Sequence, residues 1–338
     1  MAPPSKVKDC WKNLGEVTGV LVFLLVLFLG TVSIEANKAF HYKSKNSATL
    51  FIPPGTPLQE IAFLLKKEDL ILSAFYFEWY VRLLRRESPL QAGEYEVAPG
   101  LSMASLVDQM QSGKTKIYAL TIPEGLMSLE IVQLLEAEKS LTSPLTKQPD
   151  EGTLLPETYH YHKFQTRDDL VNRMQQAQQR LIEPLWLTRD EDLPITTRQE
   201  AIILASIVER ETSIPSERRR IASVFMNRLQ LGMPLQSDPT VRYGLYKENN
   251  KLFEGPLYRK HLKHATPYNT YLIQGLPPGP ICHPGRASIK AVLTPEKTKD
   301  LYFVADGTGG HLFSRTYKEH RKNHEAWRQL RRQRLMQK

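Results

Sequence analysis

The distribution of apolar and polar positions divides the chain into one long apolar segment and a larger part with short, alternating patterns. Residues 17–34 carry no charge and consist mostly of Val, Leu and Phe. At about 18 residues, this segment just reaches the length that a helix needs to cross a bilayer. We predict a membrane-spanning helix over 17–34, with an N-terminal segment, 1–16, before it and a polar stalk, 35–46, after it.

The charges before this segment indicate its orientation. Three lysines, partly offset by two acidic residues, precede it (Lys6, Lys8, Lys12, Asp9 and Glu16). Positive residues favour the cytoplasmic side, so we expect a cytoplasmic N-terminus and a body of the chain outside the inner membrane, in the periplasm. A cleaved signal peptide is the alternative, but no Ala-x-Ala-like cleavage site follows the segment.

Three passages beyond the stalk repeat one pattern, a short strand that ends in a Gly turn and leads into an amphipathic helix. They begin at Leu50, Tyr95 and Leu120. Together with a helix predicted over 73–85, the first two form an α+β module, 47–114, whose topology resembles LysM-type glycan-binding domains. A simple spacer is the alternative, and its aromatic residues are then core rather than sugar platforms.

The next strong pattern is a helix that should begin after Thr197, where Thr197 and Glu200 form a capping box. Glu211 shares a stripe with the apolar positions three, four and seven residues before it, whereas Glu209 points about 200° away. Loss of hydration at the end of such a stripe raises the pKa of a carboxyl group. Glu211 is therefore a candidate general acid. The alternative is a structural pair with one of the arginines that follow.

Prolines guide the reading of the neighbouring elements. We predict helices over 168–182, ended by Pro184, and over 216–231, and we predict that 233–241 is not helical because it contains two prolines.

Two rigid loops, 266–271 and 275–281, come next, followed by a strand, 301–304, that turns back on itself. Loops rich in Asn, Gln, Tyr and Thr offer hydrogen-bond partners for sugar hydroxyls and aromatic faces for sugar rings.

Composition excludes several classes of function. The net charge of +9 is compatible with nucleic acid binding, but the predicted anchor places the body of the chain outside the cytoplasm, away from nucleic acids. Much of the excess positive charge lies towards the basic tail, 328–338. The two cysteines, Cys10 and Cys282, fall on opposite sides of the membrane in this topology. Paired histidines such as His320 and His324 lack a zinc motif, so we predict neither a metal nor a cofactor.

Seven motifs then carry a resemblance to a known family. They are EGTLLPETY (151–159), ASIVERET (205–212), SVFMNRL (223–229), QSDPTVRYG (236–244), YNTY (268–271), GLPPGPI (275–281) and LYFVA (301–305). In this order they resemble the YceG-like family of MltG-type endolytic murein transglycosylases. The departures are mild: Arg210, Leu155 and the pair Cys282–His283 stand where the family pattern has other residues.

The resemblance implies an α+β protein whose catalytic domain, 115–327, cleaves the β-1,4 bond between N-acetylmuramic acid and N-acetylglucosamine within nascent glycan strands. It implies 1,6-anhydro ends, with Glu211 acting first as acid and then as base. Supporting positions are expected at Glu209 and Glu157. Substrate-binding positions are expected at Asn227, Gln236, Asp238, Tyr268, Asn269 and Tyr271.

The expected partners are peptidoglycan strands, the inner membrane and peptidoglycan synthases. Two alternatives stay open at this point: a hydrolase that uses Glu211 with Asp238, and a non-catalytic scaffold that binds peptidoglycan.

Overall fold

The computed structural model describes residues 5–37, 47–84 and 88–336, which fall into two compact units. Unit 1 comprises 1–118 and 162–164, and unit 2 comprises 119–161 and 165–338. The described residues combine helices with two-stranded sheets, as the predicted α+β class requires. Most of the predicted stalk, 38–46, lies outside the described residues.

Unit 1 follows the sequence pattern closely. Its elements are α1 (Ser5–Asn37), β1 (Ala48–Ile52), α2 (Leu58–Lys67), α3 (Ala74–Leu84), β2 (Gly93–Val97) and α4 (Met103–Gln111). The part of α1 from Glu16 to Asn37 has a mean hydropathy of 2.6 and is long and apolar enough to cross a membrane. The predicted apolar span therefore lies within one continuous helix.

The core of unit 1 lies between an antiparallel strand pair and the helices. β1 and β2 are antiparallel, with Leu50 opposite Tyr95 and Ile52 opposite Gly93. Alternate residues of β1 are buried, as expected for a strand with one face on a core. Tyr95 is fully buried and donates its hydroxyl hydrogen to the Gln91 carbonyl at 2.5 Å, so its polar tip is satisfied.

Two strands and three helices follow α4 in the chain. They are β3 (Ile117–Thr121), α5 (Ser128–Ala137), β4 (Thr158–His162), α6 (Arg167–Leu187) and α7 (Arg198–Glu211). The remaining elements are a 3-10 turn (Pro215–Glu217), α8 (Arg218–Gln230), α9 (Asp238–Asn249), α10 (Arg259–Leu262), α11 (Arg286–Leu293), β5 (Tyr302–Ala305), β6 (His311–Ser314) and α12 (Tyr317–Met336). The strand β3 pairs with β4, and β5 is antiparallel to β6.

The helix α7 is the centre of unit 2. Its capping box forms as predicted: Thr197 accepts from the Glu200 amide at 3.1 Å, and Glu200 accepts from the Thr197 amide at 3.0 Å. Every residue from Ala201 to Val208 is buried, so α7 is enclosed on all sides rather than along one stripe. A helix that is apolar all round belongs in the interior, and its polar end is held in place by that packing.

Three boundary predictions were wrong, each at a proline. Pro184 lies inside α6, which continues to Leu187, because the Thr188 amide and hydroxyl both return to the Pro184 carbonyl. Pro239 lies in the first turn of α9, where a proline removes no helical hydrogen bond, so 238–241 is helical. Pro215 opens a 3-10 turn, which delays the start of α8 to Arg218.

Candidate active site

Glu211 is the last residue of α7, at the point where the chain leaves the helix in an extended conformation. The Ser237 hydroxyl donates to Oε1 of Glu211 at 2.5 Å. Ser237 lies immediately before α9 and is buried, whereas Glu211 retains part of its surface. The site is thus formed where the end of one helix meets the start of another.

A network of hydroxyl groups fixes Ser237. Its amide donates to Oγ1 of Thr270 at 2.9 Å, and its carbonyl accepts from the Thr240 hydroxyl at 2.7 Å. The preceding residue, Gln236, has a left-handed backbone (φ 51°) and donates its amide to the Thr270 carbonyl. Both threonines are fully buried, so the hydroxyl that meets Glu211 is positioned before any ligand arrives.

The environment favours a protonated Glu211. Desolvation by burial raises the pKa of Glu211 to about 7, and the negative charge of Asp238 acts in the same direction. The hydrogen bond from Ser237 and the positive charges of His311 and Arg228 oppose this rise. The outcome is a carboxyl group that exchanges its proton near neutral pH, as a general acid–base requires.

Asp238 is the second carboxylate at this site. Oδ1 of Asp238 accepts a hydrogen bond from the Tyr271 hydroxyl at 2.7 Å. The aspartate is exposed and Tyr271 is partly buried. The motifs that contain Gln236, Asp238 and Tyr271 therefore meet around Glu211.

Arg228 supplies a buried cation beside this group. Its Nε donates to the Leu301 carbonyl and its Nη1 to the Leu235 carbonyl, both at 2.7 Å. The side chain therefore ties the loop before Ser237 to the start of β5. A buried guanidinium requires such partners, because an unpaired buried charge is costly.

His311 is held by a carboxylate at the start of α8. Oε2 of Glu217 lies 2.7 Å from Nδ1 of His311, and Oε1 of Glu217 accepts from the His311 amide at 2.9 Å. The carboxylate assigns a hydrogen to Nδ1 and so fixes the orientation of the ring. This residue, at the start of β6, adds the third charge that acts on Glu211.

The other predicted substrate-binding residues have structural contacts in this structure. Asn227 donates to the Thr298 and Asp300 carbonyls at 3.1 and 2.9 Å. Asn269 is fully buried and donates to the Leu262 and His264 carbonyls.

Tyr268 packs edge-on against Tyr243, with ring centroids 4.7 Å apart. Like the two asparagines, it makes contacts that shape the fold around the site rather than contacts with Glu211.

The two predicted supporting glutamates lie elsewhere. Oε1 of Glu209 pairs with Arg218 at 3.2 Å, its Oε2 accepts from the Gly285 amide at 2.9 Å, and its side chain is 5% exposed. The Glu209 carboxylate is therefore held by two partners and does not face solvent. Glu157 is exposed and pairs with Arg286 at 3.3 Å. These contacts are with residues other than Glu211.

A second buried polar cluster joins the start of α5 to two loops of unit 2. Nε2 of His283 lies 2.9 Å from the Ser128 hydroxyl, and its Nδ1 accepts from the Leu154 amide at 3.1 Å. Both oxygens of Glu151 accept from the Ser128 amide. Desolvation lowers the pKa of His283 to about 3 and raises the pKa of Glu151 to about 7. At neutral pH His283 is therefore uncharged, and its 3.7 Å contact with Glu151 is not an ion pair.

The paired histidines of α12 pack against aromatic rings. His320 stacks on Tyr302 at 5.2 Å between centroids, and His324 stacks on Trp327 at 5.8 Å. Within 5–37, 47–84 and 88–336 no group of three or more His, Cys, Asp or Glu residues has the arrangement of a metal site.

Comparison with known proteins decides the family. The family model of the YceG-like family matches residues 50–326. The chain belongs to the YceG-like family. An endolytic murein transglycosylase of Bacillus subtilis (strain 168) is 32% identical over 316 residues, which cover 84% of this YceG-like chain and 86% of the relative.

Two further similarities agree. An endolytic murein transglycosylase of Streptococcus pneumoniae (strain D39) is 29% identical, and the match covers 91% of this YceG-like chain but 64% of that longer relative. A crystal structure of a yceG-like protein from Listeria monocytogenes matches with a TM-score of 0.50 and 31% identity, over 82% of this chain and 99% of that one.

Three residues of this YceG-like site were missed from the sequence. Ser237 lies between the predicted Gln236 and Asp238, Arg228 follows Asn227, and His311 lies outside the seven motifs. Ser237 and Arg228 lie within motifs, and this position was the only available signal for them; His311 lies six residues beyond the last motif. The effect of each on Glu211 depends on how separate elements pack.

Proposed function

We propose that this chain is an endolytic murein transglycosylase that cleaves within peptidoglycan glycan strands, with Glu211 as its acid and base. The observation that carries the proposal is the desolvated Glu211 carboxyl, whose pKa is raised to about 7 and whose Oε1 meets a preorganised hydroxyl. Membership of the YceG-like family, and similarity to relatives named endolytic murein transglycosylases, support this substrate class.

The proposed reaction needs one titrating group. Protonated Glu211 gives its proton to the glycosidic oxygen as the bond from C1 of N-acetylmuramic acid to O4 of N-acetylglucosamine breaks. The resulting carboxylate takes the proton of the C6 hydroxyl of the same muramic residue, whose oxygen then bonds to C1. The product is a 1,6-anhydro end, no water is consumed, and Glu211 returns to its protonated form.

The charges around Glu211 suit an oxocarbenium-like transition state. The Asp238 carboxylate is exposed and oriented by Tyr271, so it can stabilise positive charge that develops at C1 without accepting a proton. Gln236, Asn227, Tyr268 and Asn269 stay proposed as groups that orient the sugars, directly or by shaping the loops. Glu209 and Glu157 stay proposed as supporting residues that hold the walls of the site.

Asp238 also supports the second candidate function. A hydrolase would use Glu211 as acid and Asp238 to activate water or to attack C1, as paired carboxylates do in glycoside hydrolysis. The two reactions differ in the fate of water, because only hydrolysis adds a water oxygen to the new end.

The decisive experiment digests uncrosslinked glycan strands with the full chain in lipid nanodiscs, in water labelled with oxygen-18. Anhydro ends without label from the wild type, and intact strands from Glu211→Gln, are the expected results. Labelled reducing ends would establish the hydrolase instead. Strands that stay intact but bind the wild type would leave a scaffold.

We also propose that the module 47–114 is LysM-like and contacts glycan. Its order β1–α2–α3–β2 with antiparallel strands supports this, as does a cleft of about 490 Å³ bordered by Leu58, Val81 and Leu90. Filling the cleft by Val81→Arg in the Glu211→Gln chain should weaken strand binding. Unchanged binding would make the module a spacer.

The anchor completes the proposal. The apolar helix α1 is compatible with single-pass attachment. We propose that it lies in the inner membrane with its N-terminus cytoplasmic and the catalytic domain periplasmic, near the synthases whose strands it would terminate. Treating spheroplasts with external protease tests the orientation. We expect the C-terminal part to be cleaved, and a protected C-terminus would indicate the opposite orientation.

A further inference from the structure

The helix α1 has a bare part, whose side chains are exposed, and a packed part, whose side chains contact the core of unit 1. All residues from 17 to 27 are exposed, including Val22 at 55% and Phe23 at 63%. Further along the same helix Phe28 and Leu29 become partly buried, and Val32 and Ala36 are fully buried in the core of unit 1.

The length of the bare part is too short to cross a bilayer. At 1.5 Å per residue, the exposed stretch 17–27 is about 16 Å long, whereas the hydrocarbon core is about 30 Å thick and needs about 20 residues. If α1 spans the membrane, residues 28–34 must lie within it as well. Whatever packs against this part of α1 then lies at membrane depth.

The packing partner is the helix α3. The ring of Phe28 lies 6.2 Å from that of Phe75 and 5.7 Å from that of Trp79, measured between centroids, with both pairs edge-on. Phe75 and Trp79 also contact each other at 6.2 Å. These contacts place the outer side of α3 beside the apolar part of α1.

This side of α3 is apolar and open. Leu72, just before the helix, is 64% exposed, Phe75 is 55% exposed and Trp79 is 38% exposed. The opposite side of α3 is apolar too, because Phe77 and Tyr80 fill the core of unit 1. A helix that is apolar on both sides, with only one side covered by protein, is typical of contact with lipid. Trp in particular favours the membrane interface.

We propose that Leu72, Phe75 and Trp79 form a membrane-contact face that inserts into the outer half of the same bilayer that α1 crosses. The occupant is the phospholipid bilayer at the boundary between headgroups and acyl chains. Glu78 and Arg82, the charged residues of α3, pair with each other at 3.3 Å and can remain at the polar level. The module is then attached to the membrane surface by two elements rather than tethered by one.

The proposal rests on the proposed membrane span but not on the proposed reaction. Its test therefore measures depth in the bilayer and needs no substrate. The probe is a nitroxide attached to single cysteines in the full chain, reconstituted into phospholipid vesicles in a Cys10→Ser background. Cys282 is fully buried and stays in place, and the background chain without an added cysteine reports any labelling of it.

Four positions are labelled. Leu72→Cys and Phe75→Cys probe the face, Val22→Cys probes the span, and Thr49→Cys is the matched control. Thr49 is exposed on β1, where the neighbouring Leu50 points into the core. Oxygen concentrates in acyl chains and a nickel chelate stays in water, so their ratio of collision rates reports depth.

We expect the labels at Leu72 and Phe75 to collide several-fold less with the nickel chelate than the label at Thr49, and to remain accessible to oxygen. Equal nickel access at all three positions would overturn the proposal. Shielding from both reagents would also overturn it, with spin–spin broadening then identifying a second copy as the occupant. Nickel access at Val22 would show that the span itself fails, whatever the catalytic assay reports.

Discussion

The Ser237 hydroxyl donates to Oε1 of Glu211 at 2.5 Å, across the gap between the end of α7 and the start of α9. A hydrogen bond of this kind stabilises the charged carboxylate more than the neutral acid. It therefore limits the rise in pKa that desolvation imposes on Glu211. The two effects together set the pH range in which Glu211 can donate a proton.

Ser237→Ala should move the alkaline limb of the activity profile to higher pH. The wild-type kcat/KM is expected to fall as Glu211 loses its proton above about pH 7. Loss of the hydrogen bond raises the pKa of Glu211 further, by about one unit. The measurement is kcat/KM for glycan strands against pH.

Ser223→Ala is the matched control for this change. Ser223 is also a buried serine with a side-chain hydrogen bond, but its partner is Thr298. The control should leave the limb in place. A limb that stays unmoved in Ser237→Ala as well would show that this hydroxyl does not act on the acid.

Asp238→Asn should move the same limb to lower pH and preserve the anhydro product. The change removes a negative charge that disfavours ionisation of Glu211, so the pKa of Glu211 falls. Tyr271→Phe, which removes the hydroxyl that orients Asp238, is the companion variant with the aspartate charge retained. A slower reaction in Asp238→Asn fits the loss of charge stabilisation at C1, whereas complete loss of cleavage would indicate that the carboxylate activates water or attacks C1, as in the hydrolase.

Glu211→Gln should stabilise the fold at alkaline pH. The pKa of Glu211 is about 7 in the folded chain and 4.5 when unfolded, so its stabilising contribution is present below pH 4.5 and is lost as the pH rises through 7. Glutamine does not ionise, so at pH 8 the variant avoids a loss of about 3 kcal/mol at most in the free energy of unfolding. Urea unfolding of both chains at pH 4.5 and pH 8 measures the difference.

Glu209→Gln is the control, because Glu209 is held by an ion pair with Arg218 rather than left in an apolar site. This variant should lose stability at both pH values. The raised pKa of Glu211 predicts that the stability gained by Glu211→Gln over the wild type is larger at pH 8 than at pH 4.5. An equal difference at both pH values would contradict it.

His283→Asn should flatten the decrease in stability on the acid side. The pKa of His283 is lowered to about 3 by burial, from 6.5. Between pH 6.5 and pH 3 this histidine is therefore protonated in the unfolded chain but not in the folded chain. The free energy of unfolding then falls by about 1.4 kcal/mol for each pH unit of acidification.

The variant should lose some stability at pH 8, where its hydrogen bonds to Ser128 and Leu154 are altered, and should lose less on acidification. The exposed His264, replaced in His264→Asn, is the control and should keep the wild-type slope. Parallel acid slopes for the wild type and His283→Asn would show that this histidine takes up its proton normally.

Local rules were sufficient for many elements of this chain. The capping box at Thr197, the apolar span within α1 and the helices α2, α3 and α4 follow from side-chain periodicity and hydrogen-bonding chemistry within a few residues of sequence. The same rules failed at Pro184 and Pro239, because a proline near a helix end costs little when the neighbouring amide groups find other acceptors.

The sequence by itself determined that Glu211 and Glu209 lie on different sides of α7, since the 100° turn per residue separates them. It also determined the family, through the order of its motifs. Only the tertiary structure decided what surrounds Glu211. Ser237 comes from the loop before α9, Arg228 from α8 and His311 from β6. Such elements meet only when a shared core packs them together.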